Sequence, residues 1–191
     1  MIFKFITLLL LFVPMMDLSS FETTFPRVVE KRINKRLDKY FEHQDYHKQE
    51  FRIEDSLSDK SNSYFYKVTS QDKSKNAIMV MTIANGCRIG GCDVEHKEGE
   101  EFEQFYLFSL FDESGRLIEL RILDYQSEYG YQVTSKWWLK LFIKNWEQPF
   151  RYGKNIDAIS GATVSVKSMI REMNLLQKII SQYATLEHSN F

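Results

Sequence analysis

The sequence predicts an α+β fold in which an antiparallel sheet packs against an N-terminal helix, a middle helix and a long C-terminal helix. Two apolar runs flank the turn-forming residues Asp112-Glu113-Ser114-Gly115, a pattern typical of an antiparallel hairpin. After residue 163, apolar residues recur at spacings of three and four, as on one face of a helix. Helical and strand-like segments come in blocks and do not alternate, which favours α+β over α/β.

The first helix is predicted over residues 26–42, where apolar residues interleave with Arg and Lys. Pro26 suits a first helical position, because the N–H that it lacks would have no partner there. The basic amphipathic pattern is compatible with a helix that lies on a membrane surface. The expected arrangement is nevertheless a helix that packs on the domain and leaves its basic face to solvent.

Four strands and two further helices are predicted after the first helix. Residues 48–74 are polar apart from a short strand predicted at 63–68, and further strands are predicted at residues 76–84, 105–111 and 117–125. The middle helix covers residues 136–146 and ends before Pro149, since the residue before a proline disfavours helical angles. The last helix has an apolar face predicted to pack on the sheet, formed by Val166, Met169, Ile170, Met173, Leu176, Ile180 and Tyr183.

Directly before the last helix stands the heptamer Asp157-Ala158-Ile159-Ser160-Gly161-Ala162-Thr163. Free backbone N–H groups and the positive end of the helix dipole favour a phosphate at such a position. Thr163 supplies a hydroxyl for a phosphoester, Gly161 lets a phosphate approach the main chain, and Ala162 keeps the space beside the acceptor small. Ser160 is expected to cap the helix. The alternative is a capped helix start with no ligand.

The heptamer resembles the flavinylation motif of the FMN-binding domain family, which includes the B and C subunits of the sodium-pumping quinone reductase and the G subunit of the Rnf complex. The family pattern is Asp, two variable residues, Ser or Thr, Gly, Ala and the acceptor Thr, and every specified position matches. The resemblance implies that a flavin transferase links FMN through its phosphate to Thr163. It also implies that the transferase or its metal recognises Asp157. Ser165 is a second candidate acceptor.

The resemblance also suggests where the flavin ring lies. In the family, a Gly-containing loop before a Trp-bearing helix packs against the isoalloxazine, which makes Tyr129, Gly130, Lys136 and Trp137 candidate contacts. The loop lacks the Thr-Pro-Gly-Leu-Gly run of the better-known respiratory subunits. A Lys beside the pyrimidine edge would raise the flavin potential. Trp137 is equally compatible with a place in the core.

The N-terminus predicts export from the cytoplasm. Lys4 precedes an apolar run over residues 5–16, which is shorter than the roughly 20 residues of a spanning helix. Residues 1–20 are therefore predicted to be a signal peptide, cleaved near Ser19 and Ser20, or an uncleaved membrane anchor. Residues 21–191 form one domain, with a family-like core at about 76–185. Either alternative places that domain in the periplasm, in the medium or on the outward face of a membrane.

Cys87 and Cys92 flank Arg-Ile-Gly-Gly, a spacing that fits neither a thioredoxin pair nor haem attachment. In an oxidising compartment a disulfide closing this small loop is the expected arrangement. There are two alternatives. The cysteines could be a free thiol pair near the flavin, or two ligands of a metal ion whose other ligands are Asp93 and His96.

The resemblance, together with the N-terminal segment, therefore implies an FMN-carrying electron-transfer protein that works between a membrane redox partner and an extracytoplasmic acceptor. We find no nucleophile–base pair, no paired catalytic carboxylates and no metal-ligand cluster of useful spacing, so a substrate-transforming enzyme is not predicted. The formal net charge of −1 argues against a nucleic-acid surface.

The rival interpretation is a secreted binding or structural domain in which the heptamer serves only as a helix cap. Non-covalent binding of FMN or of another phosphate ligand is a third.

Overall fold

The structure is a computed structural model that describes residues 24–53, 58–88, 102–127 and 130–189. These residues form three helices and a five-stranded sheet, with single 3-10 turns at Ser58–Lys60 and Tyr131–Thr134. In chain order the elements are α1 (Arg27–Tyr40), β1 (Tyr46–Phe51), β2 (Ser63–Ser70), β3 (Asn76–Arg88), β4 (Phe102–Phe111), β5 (Leu117–Ile122), α2 (Lys136–Lys144) and α3 (Thr163–Ser189).

The sheet is antiparallel throughout and keeps its strands in sequence order, from β1 at one edge to β5 at the other. The predicted α+β class, with its N-terminal, middle and long C-terminal helices, is confirmed. β1 was not predicted, and β3 runs to Arg88, four residues beyond the predicted end. β5 stops at Ile122, three residues before the predicted one.

Each face of the sheet carries its own apolar core, because side chains alternate between the faces along each strand. In β4, Phe105, Leu107 and Phe111 face α2 and α3, whereas Phe108 and Leu110 face α1. α1 buries Val29, Ile33 and Leu37 completely against this second face. The first helix therefore packs on the domain, and its apolar side is not available for insertion into a membrane.

The predicted hairpin between β4 and β5 is confirmed, and its turn is organised by Asp112. One carboxylate oxygen accepts hydrogen bonds from the backbone N–H groups of Ser114 and Arg116, each at 3.0 Å. Burial alone would raise the pKa of this carboxyl, but the hydrogen bonds from Ser114 and Arg116 and the nearby guanidinium lower it. Gly115 has a φ of +77°, a conformation open to glycine without strain.

α3 lies along the sheet with the predicted apolar face inward. Val166, Met169, Met173, Leu176 and Ile180 are buried in the core that α2 shares. A further tie comes from Ser168, whose hydroxyl oxygen accepts a hydrogen bond of 3.0 Å from the backbone N–H of Asn85 in β3. These contacts fix the start of α3 relative to the sheet. None of the described helices combines the length and the hydropathy that a bilayer crossing requires.

Candidate functional site

The heptamer forms a short connection that ends where α3 begins. The carbonyl oxygen of Ala162 accepts the first intrahelical hydrogen bond, from the N–H of Val166 at 2.9 Å. Ala162 is therefore the N-cap residue, and Thr163 is the first residue of the helix. The Ala162 side chain is fully buried, whereas Thr163 is exposed. The predicted acceptor hydroxyl thus lies at the helix start on the protein surface.

The prediction that Ser160 caps this helix is wrong. Ser160 lies two residues before the N-cap, is exposed and makes no hydrogen bond through its side chain within the described part of the chain. The turn at Gly161, which has a φ of +73°, shifts the helix start to Ala162. Alanine has no side-chain oxygen to accept the N–H groups of the first turn, so Ala162 gives those donors no side-chain cap.

The first residue of the heptamer is held through its backbone. The indole N–H of Trp138 in α2 donates a hydrogen bond of 2.9 Å to the carbonyl oxygen of Asp157, and the Asp157 side chain is exposed. Ile156 and Ile159 on either side are buried in the core. The connection is therefore anchored at both ends while the Asp157 carboxylate and the Thr163 hydroxyl remain accessible.

Replacement of Trp138 by Phe should destabilise the domain by about 2 kcal/mol, because the indole hydrogen bond is lost and the smaller ring leaves a void. Replacement of the neighbouring Trp137 by Phe is the matched control. Its side chain is 56% exposed, so a change within about 0.5 kcal/mol is expected. Urea unfolding of both variants measures the difference. Equal destabilisation would mean that the indole hydrogen bond to Asp157 does not hold the connection.

The loop before α2 packs directly on the heptamer at Gly130. Gly130 has a φ of +68°, and a Cβ built on it would lie 2.9 Å from the Ala162 Cα and closer still to the Ala162 Cβ. The two backbones thus approach more closely than any residue with a side chain would allow at position 130. Tyr129, the other candidate in this loop, lies outside the described residues.

A group of tyrosines that sequence reasoning did not single out lies beside the start of α3. The hydroxyl groups of Tyr125 and Ser165 form a hydrogen bond of 3.1 Å, and Ser165 is fully buried. The Tyr125 ring also contacts Phe105 edge-on at 5.4 Å and Tyr131 at 6.4 Å. Tyr131 is 66% exposed. Its place directly after Gly130 was the only signal in the sequence that could have pointed to it.

The remaining loop candidates stand at the first turn of α2. Lys136 and Trp137 are both exposed, whereas Trp138 is completely buried. The core alternative for Trp137 is therefore wrong, and Trp138 fills that role. Tyr131 and Trp137 are two of the large apolar side chains that this region presents to solvent.

Most of the cysteine pair lies outside the described residues. The backbone of Cys87 belongs to β3, but its side chain and the whole of Cys92 lie outside the described residues, as do Asp93 and His96. Within the described ranges no three metal-ligating side chains come together.

A second surface feature is a cleft of about 790 Å³ beside the second half of α3, between the β4–β5 turn and the end of α2. The polar side chains that line the cleft form hydrogen bonds with other residues that line it. The Trp146 indole N–H donates to the Gly115 carbonyl at 3.0 Å, and the Gln177 amide donates to the Gln148 carbonyl at 3.0 Å. We attribute a structural role to these contacts.

The fold and the site together define an α+β domain in which a buried Ala and an exposed Thr begin the last long helix. The FMN-binding domain family matches residues 73–176, which is more than half of the chain, and this protein therefore belongs to that family. The match begins just before β3 and includes the Gly130 loop, the heptamer and the first half of α3. A search of curated proteins finds no match to the chain.

Proposed function

We propose that this protein is an extracytoplasmic electron carrier whose FMN is esterified through its phosphate to the Thr163 hydroxyl. The observation that carries the proposal is the contrast between the two candidate acceptors in a domain of the FMN-binding family. Thr163 is exposed at the start of α3, whereas Ser165 is fully buried and bonded to Tyr125. A transferase needs access to the hydroxyl that it modifies, so the contrast supports Thr163.

The residues around Thr163 fit a flavin phosphate. The uncapped first turn of α3 offers backbone N–H donors and the positive end of the helix dipole. Gly161 adopts a φ of +73° and leaves the main chain accessible. Exposed aromatic rings at Tyr131 and Trp137 offer apolar surface of the kind on which a planar ring system packs. When bound, FMN would supply the capacity to accept and release electrons.

The rival interpretation, a binding or structural domain in which the heptamer only caps a helix, receives less support. A cap would use the Ser160 hydroxyl, and that hydroxyl makes no hydrogen bond among the described residues. Helix capping also does not explain why Ala162 is buried or why Gly130 approaches it so closely. Both observations are explained if the heptamer must present one hydroxyl in a fixed position.

The proposed location rests on the N-terminal sequence. Residues 1–20, which lie outside the described residues, are proposed to be a signal peptide or a membrane anchor. Covalent attachment has a physical advantage outside the cytoplasm, because a dissociable cofactor is lost wherever its free concentration is far below its Kd. A flavin transferase for maturation and a membrane redox protein as electron partner complete the proposal.

Co-expression with a flavin transferase in an extracytoplasmic compartment tests the proposal. The denatured protein should keep yellow fluorescence on a gel, and its intact mass should rise by that of FMN less one water. Expression without the transferase is the control. A protein that keeps only the mass of the bare polypeptide in both cases would contradict covalent attachment, and flavin lost on denaturation would indicate non-covalent binding.

A further inference from the structure

The outer surface of α1 carries a row of four cationic side chains, which we call the cationic row: Arg27, Lys31, Lys35 and Lys39. The residues are spaced four apart and all are exposed. They stand on the side of the helix opposite Val29, Ile33 and Leu37, which are fully buried against the sheet. At 1.5 Å per residue the row is about 18 Å long.

The acidic side chains near the cationic row interact with other groups. Glu30 lies 3.8 Å from the Lys48 ammonium, and Asp38 accepts a hydrogen bond of 3.1 Å from the Tyr46 hydroxyl. Within the described part of the chain, no carboxylate lies within ion-pair distance of any of the four cations. Like charges four residues apart destabilise a helix. Four such residues in succession leave four positive charges exposed, where they can contact a negatively charged partner outside the domain.

The position of the row in the fold suggests which partner this is. Phe25, two residues before α1 begins, is buried and contacts the rings of Tyr64 at 5.6 Å and Tyr106 at 5.9 Å. The point where the chain enters the domain is therefore fixed at the N-terminal end of the row. The apolar run at residues 5–16 precedes Arg27 by only ten residues, which span at most about 35 Å when extended.

We propose that the cationic row is a docking surface for the anionic headgroups of a lipid bilayer. A straight row of cations suits the plane of phosphates at a membrane surface, and each Lys or Arg held near such a surface contributes to binding. Val28, which is 56% exposed, lies beside the row and adds an apolar contact. Because the apolar face of α1 is buried in the domain, the contact is electrostatic and does not require the helix to insert.

Contact between the cationic row and a bilayer would determine the direction in which the proposed flavin site faces. α1 covers one face of the sheet, while α2 and α3 cover the other. A bilayer that contacts the cationic row therefore leaves the Thr163 end of α3 on the side of the sheet that faces away from the lipid. The lipid contact itself does not depend on flavin, so the apoprotein shows it equally.

Vesicle flotation of the full-length chain tests this proposal, with neutral phosphatidylcholine vesicles compared with vesicles that also contain phosphatidylglycerol. The row variant replaces Arg27, Lys31, Lys35 and Lys39 with Gln. The control variant replaces four exposed lysines on the other face of the domain with Gln: Lys140, Lys144, Lys154 and Lys178. Each variant loses four positive charges from a formal net charge of −1, so both carry −5.

The wild type and the control variant should bind anionic vesicles more tightly than neutral ones, and the row variant should lose that preference. The expected loss is roughly five-fold in partition coefficient for each charge removed, and it should disappear at high salt. The apolar run contributes equally to every protein and every vesicle. Equal loss in both variants, or no preference for anionic lipid in the wild type, would overturn the proposal. A row-dependent affinity for polyglutamate, without any for vesicles, would overturn it in favour of an acidic protein partner.

Discussion

Replacement of Thr163 by Ala should abolish covalent flavin, lowering the flavin retained after denaturation from a stoichiometric amount to background. The variant lacks the oxygen that the phosphoester requires, and the next hydroxyl along α3, on Ser165, is fully buried and bonded to Tyr125. Because Thr163 is exposed, the substitution should leave the fold intact. Fluorescence of the denatured band and intact mass measure the result, and thermal unfolding checks the fold.

Two companion variants sharpen this test. Thr163→Ser keeps a hydroxyl at the same position and should restore flavin attachment. Ser165→Ala should keep the flavin but lose about 1 kcal/mol of stability, because the hydrogen bond between the Ser165 and Tyr125 hydroxyls is lost. Flavin that survives Thr163→Ala and disappears in Ser165→Ala would assign the phosphoester to Ser165. The helix start would then have to open during maturation, since the Ser165 side chain is buried.

Those parts of the fold that local chemistry determines could be predicted from the sequence. The turn residues after β4 specify the hairpin, and the helical period after Thr163 specifies which side of α3 faces the sheet. β1 escaped prediction because its residues, Tyr46–Phe51, are largely polar and none of them is fully buried. β1 forms one edge of the sheet, and its hydrogen bonds to β2 stabilise it as a strand.

The site was predictable as a motif but not as an arrangement. The heptamer identifies Thr163, yet only the structure distinguishes it from Ser165, which is fully buried and bonded to the distant Tyr125. The same holds for the adjacent Trp137 and Trp138: the two residues are of the same type, but one is exposed and the other is buried. The cap at Ser160 was a sound local expectation that failed because Gly161 redirects the chain and Ala162 starts the helix. The Ser165 and Trp138 side chains are buried and bonded to segments far from them in the sequence, whereas the helix start follows from the local turn at Gly161.

Replacement of Gly130 by Ala should be among the most damaging single changes in this domain, with a loss of about 2–5 kcal/mol of stability. Two costs combine. Alanine is strained at a φ of +68°, and its Cβ would lie 2.9 Å from the Ala162 Cα and 3.2 Å from the Gly161 carbonyl oxygen. Neither neighbour is the end of a flexible side chain, so the loop must move away from the heptamer. Flavin attachment at Thr163 should fall together with stability, as measured by urea unfolding and by fluorescence of the denatured band.

Gly153→Ala separates the two costs. Gly153 has a φ of +65°, close to that of Gly130, but a Cβ there meets nothing within 4 Å. This variant should therefore carry only the backbone strain, about 1 kcal/mol, and should keep its flavin. The difference between the two variants measures the close approach of Gly130 to Ala162 alone. Similar losses of stability, with flavin retained in both, would show that the loop is free to move from the heptamer, and that contact between them is not what positions the Thr163 hydroxyl.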